Sequence, residues 1–163
     1  MAFISVCGTG SAGPIRVLAV LIMMTALALA RSRPSAAAEM SDAQLEVAPT
    51  GLRNGKGLIR LCLTQDSRHF PNCAGDPKAI RRSAPVGNAP LILAGLVPGR
   101  YAMSLIHDEN GNGKLDTVLG MPREGFGFSR DPAIGFAPPK FDAVLFDVSP
   151  GHSRRQVRIR YLF

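Results

Sequence analysis

From residue 43 onward the chain alternates. In GLIRLCLTQ the large apolar residues Ile59, Leu61 and Leu63 are separated by Arg60, Cys62 and Thr64. GRYAMSLIH repeats the pattern, with Tyr101, Met103 and Leu105 set against Ala102 and Ser104. Successive side chains of a β-strand point to opposite faces, so a period of two is the mark of a half-buried strand. QLEVAP, residues 79–86, PLILAGL, FDAVLFDV and RQVRIRYLF are read the same way. In the last, Val157, Ile159, Tyr161 and Phe163 share a face while Arg158 and Arg160 point away. LRNGKG, between the first two runs, predicts a hairpin with a short glycine-containing turn. Helical periodicity is nearly absent, and glycine and proline punctuate the chain. Seven short strands predict a single all-β domain, a seven-stranded antiparallel β-sandwich of transthyretin- or immunoglobulin-like type. An outer-membrane barrel is rejected, because its strands need about 10 residues and these are shorter and broken by proline.

The first forty residues differ from the rest. Arg16 precedes a 14-residue apolar run from Val17 to Ala30, and RSRPSAAAEM follows. A charged start, an apolar stretch and an Ala-x-Ala exit make up a secretory signal peptide, 1–38, with cleavage after Ala38. Arg31 and Arg33 close the run before the roughly 20 residues a membrane span requires, an uncleaved anchor being the alternative. Cys7 lies ahead of the apolar run, so it is not placed as a lipoprotein attachment site. The expected product is a periplasmic or secreted domain, 39–163, with no integral membrane span.

Cleavage lowers the net charge. Arg16, Arg31 and Arg33 leave with the signal, and the remaining 16 Lys and Arg against 12 Asp and Glu give +4 in place of +7. The basic residues are scattered apart from Arg81-Arg82 and the run at 154–160. Such scatter is a solvated surface with at most a weak attraction to anionic envelope components. Nucleic acid is excluded as a partner, since no basic and aromatic cluster is there to stack bases. Cleavage also leaves Cys62 and Cys73 as an even pair in an oxidising compartment, and a structural disulfide pinning the intervening loop is expected.

The longest stretch without strand character runs from 107 to 141. It holds Phe126, Phe128 and Phe136, with Phe141 at its end, and these rings are expected to staple it to the sandwich. It opens with HDENGNGKLD. Taking Asp108 as position 1, side-chain oxygens fall at 1, 3, 5 and 9, on Asp108, Asn110, Asn112 and Asp116. Gly113 sits at 6, where a calcium loop turns sharply, and the Lys114 carbonyl takes position 7. Leu119 stands where a bidentate Glu would be, with Glu124 or water left to fill the gap. Calcium is therefore the expected metal, bound by Asp108, Asn110, Asn112, Lys114 and Asp116. Asx turns that satisfy their own backbone are the competing reading.

GLVPGRYAMSLIHDENGNGKLD, then GMPREGFGFS and FAPPKF, resemble a widespread family of small exported bacterial proteins known as a domain of unknown function. The resemblance runs from about Leu45 to Phe163. LVPGRY also resembles the strand entry of transthyretin-like and carboxypeptidase-regulatory-like sandwiches. The resemblance implies a secreted sandwich and supplies no catalytic residues. Arg123 and Arg130 depart from it by making the long loop more basic.

The expected function is a non-catalytic binding or accessory module, monomeric, acting on an envelope protein or glycan. The first alternative is a metal-dependent hydrolase using His107, which here is expected as a half-buried histidine at a strand end. His69 and His152 could join it only through the fold. No nucleophile elbow, HExxH or phosphate loop is present. The second alternative is a purely structural envelope protein.

Overall fold

The computed structural model describes residues 43–88, 90–135 and 137–163. Residues 1–38, expected from the sequence to be a signal peptide, and Phe136 lie outside them. Ten strands run in order: β1 (Ala43–Thr50), β2 (Leu58–Thr64), β3 (Ile80–Pro85), β4 (Leu91–Leu96), β5 (Gly99–Asp108), β6 (Thr117–Val118), β7 (Met121–Pro122), β8 (Gly125–Phe128), β9 (Phe146–Val148) and β10 (Gly151–Arg158). Among the described residues one short helix, α1 (Phe141–Val144), precedes β9. The first sheet has the order β10-β1-β4 and the second β3-β2-β5-β8, with β9 also on β5. β9 covers Gly99–Tyr101 and β8 covers Ser104–His107, so the two share one edge of β5 end to end.

Packing follows the alternation. Leu45, Val47, Leu93, Leu96 and Val157 from the first sheet meet Ile59, Leu61, Leu63, Met103 and Leu105 from the second in one buried core. A second, smaller core lies around Ala102, Phe126, Phe128, Val144 and Leu145, with Phe70 and Phe141 against it. The Phe70 ring lies 5.8 Å from Phe128 and 5.9 Å from Phe141. The expected stapling by Phe126, Phe128 and Phe141 is therefore present. The Tyr101 hydroxyl donates to the Val97 carbonyl at 2.8 Å and pins the Pro98-Gly99 entry to β5. Among the described residues no helix is long and apolar enough to cross a membrane.

The all-β sandwich expected from the alternation is present, with ten strands among the described residues in place of the seven expected and four local differences. β1 and β2 do not form a hairpin: β1 lies between β10 and β4, and both edges of β2 are taken by β3 and β5. Their apolar rows face each other across the core from opposite sheets, which a hairpin would not allow. β1 and β10 are parallel, from Ala43 against Gly151 to Thr50 against Arg158, so the sandwich is not purely antiparallel. FDAVLFDV begins as helix, because Phe141, Val144 and Leu145 are spaced i, i+3, i+4 and face the second core together. At the C-terminus β10 ends at Arg158; Ile159 is buried but Phe163 is turned out to solvent.

The stretch 107–141 also contains strands. GFGF forms β8, which its glycines had disguised, since glycine weakens strand propensity. Phe126 and Phe128 face the second core, while Gly125 and Gly127 are crossed by the chain's C-terminal segment. A Cβ on Gly125 would meet the Tyr161 ring and Ile159, and one on Gly127 would meet the Arg158 carbonyl.

Cys62 and Cys73 are bonded, as their even count implied, with Cα atoms 5.7 Å apart. The bond closes a loop of 11 residues' separation over the outer face of β2. Reduction, or the double change to alanine, is expected to cost about 3 kcal/mol by the chain-entropy argument, read as a lower urea midpoint.

Candidate functional site

The loop at 108–116 is organised around a buried carboxylate. Asp108 ends β5 with no solvent exposure. Its Oδ2 accepts from Arg60 Nε at 2.5 Å and from the Gly113 N–H at 2.9 Å, and its Oδ1 accepts from the Asn112 N–H at 3.0 Å. Burial pushes the Asp108 carboxyl up, but the Arg60 guanidinium and the two N–H groups outweigh it and hold it below the usual carboxylate range. Arg60 reaches Asp108 from β2, two residues off the cross-strand pair Leu58–Asp108.

The remaining loop side chains knit together. Asn110 Oδ1 accepts from the Asn112 N–H and Asn112 Oδ1 from the Lys114 N–H, both at 3.0 Å, two successive Asx turns. Their amide groups then donate to the two oxygens of Asp116, at 2.7 and 2.8 Å. Glu124 folds back from the far end of the β6–β7 hairpin. It is buried, and it accepts from the Glu109 N–H at 2.9 Å and the Asp116 N–H at 3.0 Å. Of the five expected ligands, the structure thus gathers the side chains of Asn110, Asn112 and Asp116. It places Asp108 beneath them against Arg60, and uses the Lys114 backbone in a turn. Among the described residues neither Asp116 nor Glu124 is in an ion pair.

Beside the loop stands a second network that the sequence did not announce. His107 is fully buried rather than half-buried. Its Nε2 lies 2.7 Å from the Lys56 carbonyl, which can only accept, so Nε2 carries the hydrogen. Its Nδ1 lies 2.6 Å from the Tyr161 hydroxyl, which in turn accepts from the Arg53 N–H at 3.3 Å. Arg53 lies over the Tyr161 ring, 4.4 Å from its centre, and grips Glu109 at 3.0 and 2.5 Å. Asn54 joins it on Glu109 at 2.5 Å. The Arg53 guanidinium, helped by Asn54, holds the Glu109 carboxyl at about 2 against the opposition of partial burial.

The three histidines are not brought together. His69 sits in the turn at Ser67–His69 and contacts the Ala74 carbonyl, while His152 lies on β10 beside Glu46. Among the described residues no three His, Cys, Asp or Glu side chains gather as a metal group. The loop's oxygens come instead from carboxylates, amides and backbone. Arg60, Arg53 and Tyr161 were missed as parts of this end of the molecule. The one signal available for them was that HDE brings two carboxylates and a histidine to a strand end, where cations and donors must meet them.

Fold and site together define a small all-β sandwich with a polar, hydrogen-bonded loop at one end. The chain belongs to the family described as "Uncharacterized protein conserved in bacteria (DUF2141)", whose model matches residues 47–156. No curated protein and no solved structure matches it.

Two measurements check this electrostatic layout. Tyr161→Phe leaves His107 Nδ1 without its partner and is expected to cost about 1–3 kcal/mol in chemical denaturation. The Glu109 carboxyl is depressed in the folded state, from an ordinary 4.5 to about 2. Its pair with Arg53 therefore stabilises fully above the unfolded value and is lost as pH falls from about 4.5 toward 2. Melting curves taken at successively lower pH should fall less steeply over that window in Glu109→Gln than in the parent.

Proposed function

We propose that this protein is an exported, non-catalytic binding or accessory module of the bacterial envelope whose loop 108–116 takes calcium. Residues 1–38 act as its signal peptide and leave a periplasmic or secreted domain. The disulfide suits that compartment.

The observation that carries the calcium reading is the surplus of acceptors at the loop. A carboxylate offers about four lone-pair sites, and each Asp116 oxygen receives a single amide hydrogen. Asn110 and Asn112 each accept one backbone hydrogen on an oxygen with two lone pairs. Asp108 has three of its four sites filled. Glu124, buried beside the loop, accepts two backbone hydrogens and is in no ion pair among the described residues. Calcium takes six to eight hard oxygens of the kind this loop holds in surplus. Asp108, Asn110, Asn112, Asp116 and the Lys114 carbonyl would supply five ligands, with water completing the set. His107, with both nitrogens engaged inside the domain, serves here as a strut between β5, the 52–57 connection and the C-terminal segment.

With a dissociation constant of about 10⁻⁴–10⁻³ M, as in other extracellular modules, calcium at about ten times that value stabilises by about 1.4 kcal/mol. The melting temperature should rise by a few degrees in calcium relative to chelator, and Asp116→Asn should abolish the rise. An unchanged melting temperature, or a rise that survives in Asp116→Asn, sinks the reading. Asp108 is unsuitable as the probe, because its loss strands the Arg60 guanidinium whether or not calcium binds.

A further inference from the structure

Six large apolar side chains are conspicuously exposed among the described residues: Ile92, Val97, Val118, Leu119, Leu162 and Phe163. Four of them belong to two segments that one guanidinium brings together. Arg53 donates to the Phe163 carbonyl at 2.7 Å and to the Arg123 carbonyl at 3.3 Å. It thereby fixes the Leu162–Phe163 tail and the return arm of the β6–β7 hairpin at the same end of the sandwich.

The hairpin tip carries an unusual residue. Val118 pairs with Met121, so Leu119 and Gly120 form a two-residue turn, with φ of 50° and 78°. Two positive φ values mark the turn that favours Asn-Gly or Asp-Gly. Leucine is strained in the left-handed region, and it has no side-chain oxygen to bond its own backbone. Leu119 is also 93% exposed, and Val118 beside it 44%. At 93% exposure the Leu119 side chain gains almost no burial among the described residues to set against its backbone strain.

Charge at this end is sorted by direction. Asp108 is engaged by Arg60, Glu109 by Arg53, Asp116 by two amides, and Glu124 is buried. Lys56, Lys114 and Arg123 are exposed and, among the described residues, in no ion pair. Asp108 and Glu124 are buried and Glu109 and Asp116 half-buried, so the exposed side chains among these groups are the apolar ones and the three cations.

We infer that this end docks on an anionic lipid surface. Val118, Leu119 and Phe163 enter the boundary between headgroups and acyl chains, and Lys56, Lys114 and Arg123 lie at the level of the headgroup phosphates. The inference shares the envelope location of the proposed function but does not use calcium, so the calcium measurement and the lipid measurement fail separately.

The test is partition onto phosphatidylglycerol–phosphatidylcholine vesicles compared with pure phosphatidylcholine. It uses the chain purified after export through its own N-terminal segment, which all variants share. The parent should bind the anionic vesicles preferentially. Leu119→Asn should bind about tenfold more weakly, from the loss of one inserted leucine. It should melt no lower than the parent, because asparagine suits the turn. Arg123→Glu should weaken binding at least fivefold, at about 1 kcal/mol for each basic residue near the surface. Arg68→Glu, the same charge change beyond the opposite end of β2, should leave binding nearly unchanged. No preference for anionic vesicles would overturn the inference. So would equal binding by Leu119→Asn, or equal losses in Arg123→Glu and Arg68→Glu, which would reduce the effect to net charge. Capture of a protein partner by this end in place of lipid would overturn it as well.

Discussion

The C-terminal segment passes from one sheet to the other within two residues, and much of the molecule depends on that crossing. The Ile159 N–H donates to the Thr50 carbonyl on β1 at 2.8 Å. One residue later Arg160 exchanges both backbone hydrogen bonds with Phe126 on β8, at 2.8 and 3.0 Å. One side of the sandwich is thereby tied by main-chain bonds, where paired sheets are ordinarily held by side chains alone. The crossing is possible because Gly125 and Gly127 carry no side chain on the face that the segment traverses. It also delivers Tyr161 to His107 and to the underside of Arg53. Adding a methyl group at Gly127 would push on the Arg158 backbone and disturb the seam and the loop end at once.

The loop end shows how such a small domain tolerates buried acids. An ionised carboxylate out of water is costly unless it is paired and hydrogen-bonded. Asp108 meets that requirement with one guanidinium and two backbone N–H groups and Glu109 with Arg53 and Asn54, while Glu124 has two N–H groups and no paired cation among the described residues. The same bonds consume the donors of a tight turn that would otherwise be unsatisfied. Two of the four acids at this end, Asp108 and Glu124, are thereby buried, while Lys56, Lys114 and Arg123 stay exposed. Structural need and surface chemistry are thus linked through one set of side chains.

Much of the strand pattern was legible in advance, and its errors are informative. The alternation in GRYAMSLIH and GLIRLCLTQ located β5 and β2 because one face of each is buried in the main core. EGFGF was passed over because glycine carries no pattern; what it signals is close approach by another segment, which no single strand reveals. FDAVLFDV misled because helix and strand periods coincide over so few residues. At the site, the Asx-rich character of HDENGNGKLD was plain. The depth at which Asp108 sits was not, because it depends on Arg60, 48 residues away.

Sequence alone determined what rests on neighbouring residues: the faces of the strands, the glycine positions where turns reverse, and the side-chain oxygens that cap their own backbone. It also determined the disulfide, since only two cysteines follow the first apolar run. The tertiary structure decided which sheet each strand joined, that β1 lies parallel to β10, and that Arg53 collects Glu109, Tyr161, Arg123 and Phe163 at one end. The division has a physical cause. Local pattern reflects backbone geometry over two to four residues. The choice of partner is made by burial and charge compensation between segments, such as Arg53 and Phe163, that are 110 positions apart and meet only when the sandwich closes.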